Sequence, residues 1–227
     1  MFDKIITGVG AREVKEAMTD LAFELGRYIS DRNILFRTGD AKSGMDLAFL
    51  EGWLAGSKVG DCIVYGPYKS YSAKTGECWD TLEFGNYTEA TKCVSELVPH
   101  WNSVYANLKN SDPESYATKI DAFRKLHTRN YFQVMGEINT RKVPSDLVLF
   151  CARKLGGIYI GGTATTVGIA REIGVTVLDV SECERDFIVA TIDKINFQLL
   201  AKRAKLAFYT AWEIANRKDR LTIDKKS

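Results

Sequence analysis

A three-layer, Rossmann-like α/β fold with a mostly parallel sheet and a long C-terminal helix is the class this sequence predicts, on three observations. Short apolar runs closed by glycine alternate with helix-period segments in the order β-α-β-α-β from Lys4 to Pro67. Glycine-rich turns, "TGVGAR", "RTGDAKSGMD" and "GGTATT", stand where an apolar run gives way to a helix. Near the far end, "IYIGGTATTVGIAREIGVTVLDV" (Ile158–Val180) reads as strand, helix and strand again.

The elements follow in order. "KIITGVG" is a short apolar run suited to a buried strand. In the next segment Val14, Met18, Leu21, Leu25 and Ile29 recur at spacings of three and four, which predicts an amphipathic helix. "ILFRTGD", "MDLAFLEGWLAGS" and "DCIVYGP" supply a strand, a helix and a strand, and right-handed crossovers make them parallel. From Tyr68 to Tyr87 periodicity is lost, and this stretch is expected to be a long loop or insertion. "TEATKCVSELVPHW" is helical, and so is the stretch from Asp112 to Thr140, with Pro113 in its first turn. "SDLVLFCA" is a buried strand, and "RKLGGIYIGG" suits a hairpin turning at Gly156 and Gly157. From Arg185 to Arg217 runs one helical pattern without Gly or Pro. Ile188, Ile192, Ile195 and Leu199 form a heptad-like seam that either packs on its own domain or joins copies into a homo-oligomer. The expected division is a nucleotide-binding domain over 1–180 and a helical extension over 181–227.

Composition narrows the function classes. The hydrophobic fraction of 45% and charged fraction of 26% are ordinary for a globular chain. A net charge of +2 makes no general case for nucleic acid, which would need a local basic face. Arg124, Lys125, Arg129, Arg141 and Lys142 form either such a strip or a solvated helix face. No apolar run approaches the ~20 residues of a membrane span, and the opening "MFDKIITGVG" lacks signal-peptide architecture. Five cysteines without a C-x-x-C motif suit a reducing cytoplasm. No Cys/His cluster suggests a metal, His100 and His127 lie far apart, and no cofactor or catalytic motif is recognised.

All three glycine-rich turns are β-to-α connections, so a parallel sheet brings them to one carboxyl edge, where open α/β sheets bind ligands. A helix N-terminus with free backbone N–H groups favours an anion there. The candidate ligand-binding residues are Gly8, Gly10 and Arg12 from the first turn; Arg37, Thr38, Gly39, Gly44 and Asp46 from the second; and Gly161, Gly162, Thr163 and Thr165 from the third. The arginines offer planar forks for phosphate or carboxylate. Asp46 either accepts from sugar hydroxyls or caps its own helix. Tyr65, Tyr68, Tyr71 and Trp79 either stack on a base or pack the insertion's own core. "GVGARE" lacks the third glycine of the dinucleotide fingerprint, and "DAKSGMD" lacks the G-K-[ST] of a P-loop.

Together, "RTGDAKSGMDLAFLEG" and "GGTATTVGIAREIGVTVLDV" resemble two segments of the SLOG superfamily. That Rossmann-like group includes the DNA-processing protein A family and the LOG nucleotide hydrolases. "RNYFQVMG" and "PSDLVLFCA" resemble small members often found in phages, and the resemblance spans about Asp3 to Val180. It implies a nucleotide or nucleotide-derived signal as ligand, with its phosphate on Gly161–Thr165 and its ribose near Asp46. In a phage protein it implies capture of a host immune signal in the host cytoplasm.

The sequence departs from the family in ways that bear on activity. Asp40 stands where members carry glycine, and Ala164 replaces a glycine of the phosphate turn. Ile160 replaces a proline, and Gly168 stands at the position of the hydrolases' glutamate. Cleaving an N-glycosidic bond needs a titratable group at the leaving base, leaving Glu51 or Asp46 as substitutes. Binding is therefore the leading expectation. Nucleoside monophosphate hydrolysis and single-strand DNA binding for recombination are the alternatives.

Overall fold

The computed structural model describes residues 2–67, 90–92, 94–96, 116–136 (side chains from 124) and 143–195. The insertion at 68–87, the Asp-Pro helix start, Arg141, Lys142 and the helical stretch beyond 195 lie outside them. The described elements are β1 (Lys4–Gly10), α1 (Glu16–Ser30), β2 (Ile34–Gly39), α2 (Met45–Ala55), β3 (Asp61–Tyr65), α3 (Tyr116–Met135), β4 (Leu147–Cys151), β5 (Lys154–Leu155), β6 (Ile158–Tyr159), α4 (Gly162–Glu172), β7 (Thr176–Asp179) and α5 (Arg185–Lys194).

Five strands form one all-parallel sheet in the order β3-β2-β1-β4-β7. β1 and β4 are central and buried on both faces, which is why they read as unbroken apolar runs. Strand order reverses between β1 and β4. There the outgoing connections diverge to opposite faces of the sheet and leave a crevice at its carboxyl edge.

Two cores cover the sheet, giving the three layers expected. On one face Ile6, Phe36, Leu147 and Leu149 meet Leu25 and Ile29 of α1, Phe49 and Trp53 of α2, and Ile188 and Ile192 of α5. On the other, Val9, Val148 and Phe150 meet Tyr131, Phe132 and Val134 of α3 and Val167, Ile169 and Ala170 of α4.

The structure adjusts several sequence expectations. α3 stops at Met135 rather than running to Thr140. Gly136 takes φ +73° and its N–H donates to the Phe132 carbonyl at 2.8 Å, a left-handed glycine cap. The hairpin expected at Gly156 and Gly157 forms, and it takes Ile158–Tyr159 out of the main sheet. Ile158–Tyr159 pairs antiparallel with Lys154–Leu155 through that turn, so the hairpin elaborates the β4-to-α4 connection.

The start of the C-terminal helix clasps its own domain. Ile188 and Ile192 are fully buried, Arg185 Nε pairs with Glu24 at 2.7 Å, and Tyr28 Oη donates to Asp193 at 2.8 Å. Lys4 Nζ donates to the carbonyls of Ile192 and Asp193. This half of the heptad-like seam is spent inside the domain, and residues 181–195 belong to its packing.

Candidate ligand cavity at the sheet's carboxyl edge

The three turns meet in the crevice between β1 and β4. The first is pinned to its neighbours on both sides: Ala11 N–H donates to the Cys151 carbonyl at 2.9 Å, and Met45 N–H to the Ala11 carbonyl at 3.2 Å. Asp46, in the first turn of α2, accepts from Gly10 N–H at 2.8 Å. In the third turn, Ile160 N–H donates to the Arg153 carbonyl at 2.9 Å, closing the hairpin's base just before α4.

α4 begins at Gly162 behind an N-cap glycine, and no side chain caps it. The Ala164 N–H bends back to the Gly161 carbonyl at 3.2 Å, and the N–H groups ahead of it have no partner within the helix. Gly161 and Gly162 are exposed, so this end of the helix, with its partial positive charge, faces outward.

Between these turns and α3 lies a cavity of about 360 Å³, within the size range of small-molecule sites. The first turn contributes Val9 to Glu13, the second Ala41 and Asp46, and the third Arg153, Ile160 to Thr163 and Thr166. α3 closes it with Leu126, His127, Arg129, Asn130 and Gln133.

Of the predicted residues, Gly10, Arg12, Asp46, Gly161, Gly162 and Thr163 line this cavity. Gly8, Arg37, Thr38, Gly39, Gly44 and Thr165 do not. Arg37 is buried and spends its guanidinium on the carbonyls of Val134 (3.3 Å) and Val143 (2.9 Å) and on Ser145 Oγ (3.5 Å), tying β2 to the far end of α3. Thr38 Oγ1 donates to the Gly8 carbonyl at 2.8 Å, bonding β2 to β1. Thr165 Oγ1 is held by His127 Nδ1 at 2.7 Å. Asp40, which stands where members of the resembling family carry glycine, is buried and off the cavity wall. Tyr65 packs against Phe132, with ring centroids 6.3 Å apart, as part of the core.

The helix-capping reading of Asp46 does not hold. The residue lines the cavity but does not cap α2, whose N-cap is Gly44 with no side-chain bond. Its second oxygen meets Arg129 Nη1 at 3.3 Å, both side chains being almost wholly buried. Burial pushes the Asp46 carboxyl above the usual range, against the pull of Arg129 and the Gly10 N–H. Gly39 makes room for this pair, since a Cβ there would overlap both Arg129 Nη1 and Asp46 Oδ2.

Sequence reasoning missed the α3 wall. Arg129, read as part of a basic strip or a solvated helix face, is buried and lines the cavity, and the same holds for His127, which sequence reasoning did not place there. The signal was present: "HTRNYFQ" puts His127, Thr128, Arg129, Asn130 and Gln133 within two turns, on both sides of the helix, and all five are buried. A solvated helix face has no reason to surround itself with Tyr131, Phe132 and Val134, so buried polar function was legible there.

With Arg129 and Asp46 offsetting one another, the remaining wall charges are Arg12, Arg153 and Glu13, all exposed. The balance is positive beside a bare helix start. Among the described residues no group of His, Cys, Asp and Glu is arranged to hold a metal ion. No described helix is long and apolar enough to cross a membrane. Comparison with protein families, curated proteins and solved structures finds no match to this chain.

Proposed function

We propose that this protein binds a nucleotide or nucleotide-derived signalling molecule in the cavity between β1 and β4. The ligand's phosphate rests on the α4 N-terminus and its remainder lies toward α3. The observation that carries the reading is the uncapped α4 start opening into a cavity at the strand-order reversal, flanked by Arg12 and Arg153. Backbone N–H groups, a helix dipole and two guanidinium forks together suit a phosphate better than any neutral group. The SLOG-like segments Arg37–Gly52 and Gly161–Val180 point to the same ligand class.

Holding the ligand fits the wall better than cleaving it. Gly168 stands at the position of the hydrolases' glutamate, and Glu51 is exposed on α2, off the cavity. For a phage-encoded chain, capture of a host immune signal is the use this suits. Hydrolysis keeps one specific support: Asp46 is a cavity carboxyl whose proton affinity burial raises. Release of free base from nucleoside monophosphates, abolished by Asp46→Asn, would favour that reading. Single-strand DNA binding loses Arg129 from its basic strip, because Arg129 is buried against Asp46.

The test is calorimetric titration with mono-, di- and cyclic nucleotides, together with mass spectrometry of any small molecule that co-purifies. A binding nucleotide should lose about ten-fold or more in affinity on Arg153→Ala, the scale of a lost charge-assisted hydrogen bond. Absence of binding at high micromolar concentration across the panel would end the proposal.

A further inference from the structure

The α3 wall carries hydrogen-bonding capacity that the protein itself leaves unused. Gln133 is 1% exposed and lines the cavity, yet neither Oε1 nor Nε2 has a partner. Thr166 Oγ1, on the α4 side of the same cavity, is equally buried and equally without one. Two of their neighbours are held within the protein: Asn130 Nδ2 donates to the Gly162 carbonyl at 2.7 Å, and His127 meets Thr165. α3 therefore spends some of its polar side chains on holding α4 and holds one amide back.

Buried polar groups without partners destabilise a fold, and native structures keep few of them. Gln133 and Thr166, on the wall of one cavity together with the unpartnered Nε of Arg129, call for a ligand. The backbone opposite is also cut back, for a Cβ on Gly39 would come within 2.6 Å of Gln133 Nε2.

We infer that Gln133 is the specificity-determining residue of the cavity. Its carboxamide reads a planar ligand edge carrying a donor beside an acceptor, with the Thr166 hydroxyl as a second contact. A carboxamide offers an acceptor and a donor side by side in one plane, and nucleobase edges offer the complement. The inference rests on the nucleotide reading above and names the part of the nucleotide that the α3 wall recognises.

The experiment titrates wild type, Gln133→Met and Thr166→Val with the four common nucleoside 5′-monophosphates and with base-free ribose 5-phosphate. Wild type should bind at least one nucleotide about ten-fold more tightly than ribose 5-phosphate, and Gln133→Met should remove about ten-fold of that preference. Ribose 5-phosphate binding should be unchanged. Thr166→Val should cost a smaller, few-fold part. The melting temperature of Gln133→Met should hold or rise, because no protein partner is lost.

Unchanged base preference in both variants would overturn the inference and leave the nucleotide reading standing. A Gln133→Met protein that melts markedly lower, or fails to fold, would show the amide to be structural and overturn it as well. Should wild type bind neither the nucleotides nor ribose 5-phosphate, the nucleotide reading fails and this inference with it.

Discussion

The two faces of the sheet are built differently from the same strands. On the α1, α2 and α5 face the core is an apolar cluster in which fully buried Leu25, Ile29, Phe49, Ile188 and Ile192 close over Ile6 and Phe36, and its polar bonds, from Lys4, Tyr28 and Arg185, tie down α5. On the α3 and α4 face a comparable apolar layer ends at the carboxyl edge, where His127, Arg129, Asn130, Gln133, Thr163 and Thr166 are buried instead. The first face gains free energy roughly in proportion to the apolar area it removes from water. The second gives some of that up to keep polar groups around a hollow. Where a fold accepts that cost at the point its strand order reverses, the cost marks a site.

The sharpest way to break the contrast is to remove Arg129. Arg129→Met leaves Asp46 buried without its cation, and uncompensated buried charges of this kind cost about 3–5 kcal/mol. Denaturant unfolding should show that loss, and adding Asp46→Leu should recover much of it, since the pair as a whole is worth far less than either half alone.

The pH dependence has a definite sign. The Asp46 carboxyl titrates above its ordinary range in the folded protein, so the native state takes up this proton before the unfolded chain does. Its contribution to stability is present in full below the unfolded carboxylate range and is lost as pH rises through the raised folded value. Without Arg129 the shift is larger, so the deficit of Arg129→Met should narrow as pH falls through that window. A deficit independent of pH would mean that Asp46 is not the group left exposed to the loss.

On the apolar face the corresponding perturbation is Ile192→Ala. Ile192 is fully buried against the α1 layer, and truncating such a side chain costs about 2–5 kcal/mol. Unlike the Arg129 change, this loss should be flat with pH and should leave affinity for a bound nucleotide within a few-fold of wild type. If Ile192→Ala instead altered affinity strongly, the two faces would not be separable as argued.

How far this division was legible in the sequence follows from which signals are local. Strand and helix order was readable because "KIITGVG" and the Val14-to-Ile29 spacing each carry their own periodicity. Convergence of the three turns followed from parallel topology alone. The floor and roof of the cavity did not. Arg37 and Arg12 look equally suited to an anion in sequence, yet Arg37 lies within β2 and points into carbonyls near the end of α3, a contact between positions about a hundred residues apart. Gly39 reads as one more turn glycine, although it lies within β2 and its role is to admit the Arg129–Asp46 pair. Which side chains of a central helix face a hollow depends on how that helix lies across the sheet, and no local pattern in the chain encodes it.

The smallest expected change in stability lies at Gly161, where it separates shape from chemistry. This residue holds φ +83° and ψ −168°, a region closed to side-chain-bearing residues, and a Cβ there would meet nothing within 4 Å. Gly161→Ala therefore adds no collision, and its cost is conformational alone, about 1–2 kcal/mol. Relaxing that strain must turn the peptide that presents the first N–H groups of α4. Affinity for a phosphate-bearing ligand should consequently fall by more than the stability loss suggests, while the base preference assigned to Gln133 persists. A Gly161→Ala protein that bound phosphate as tightly as wild type would remove the α4 start from the site and leave the arginines to hold the anion by themselves.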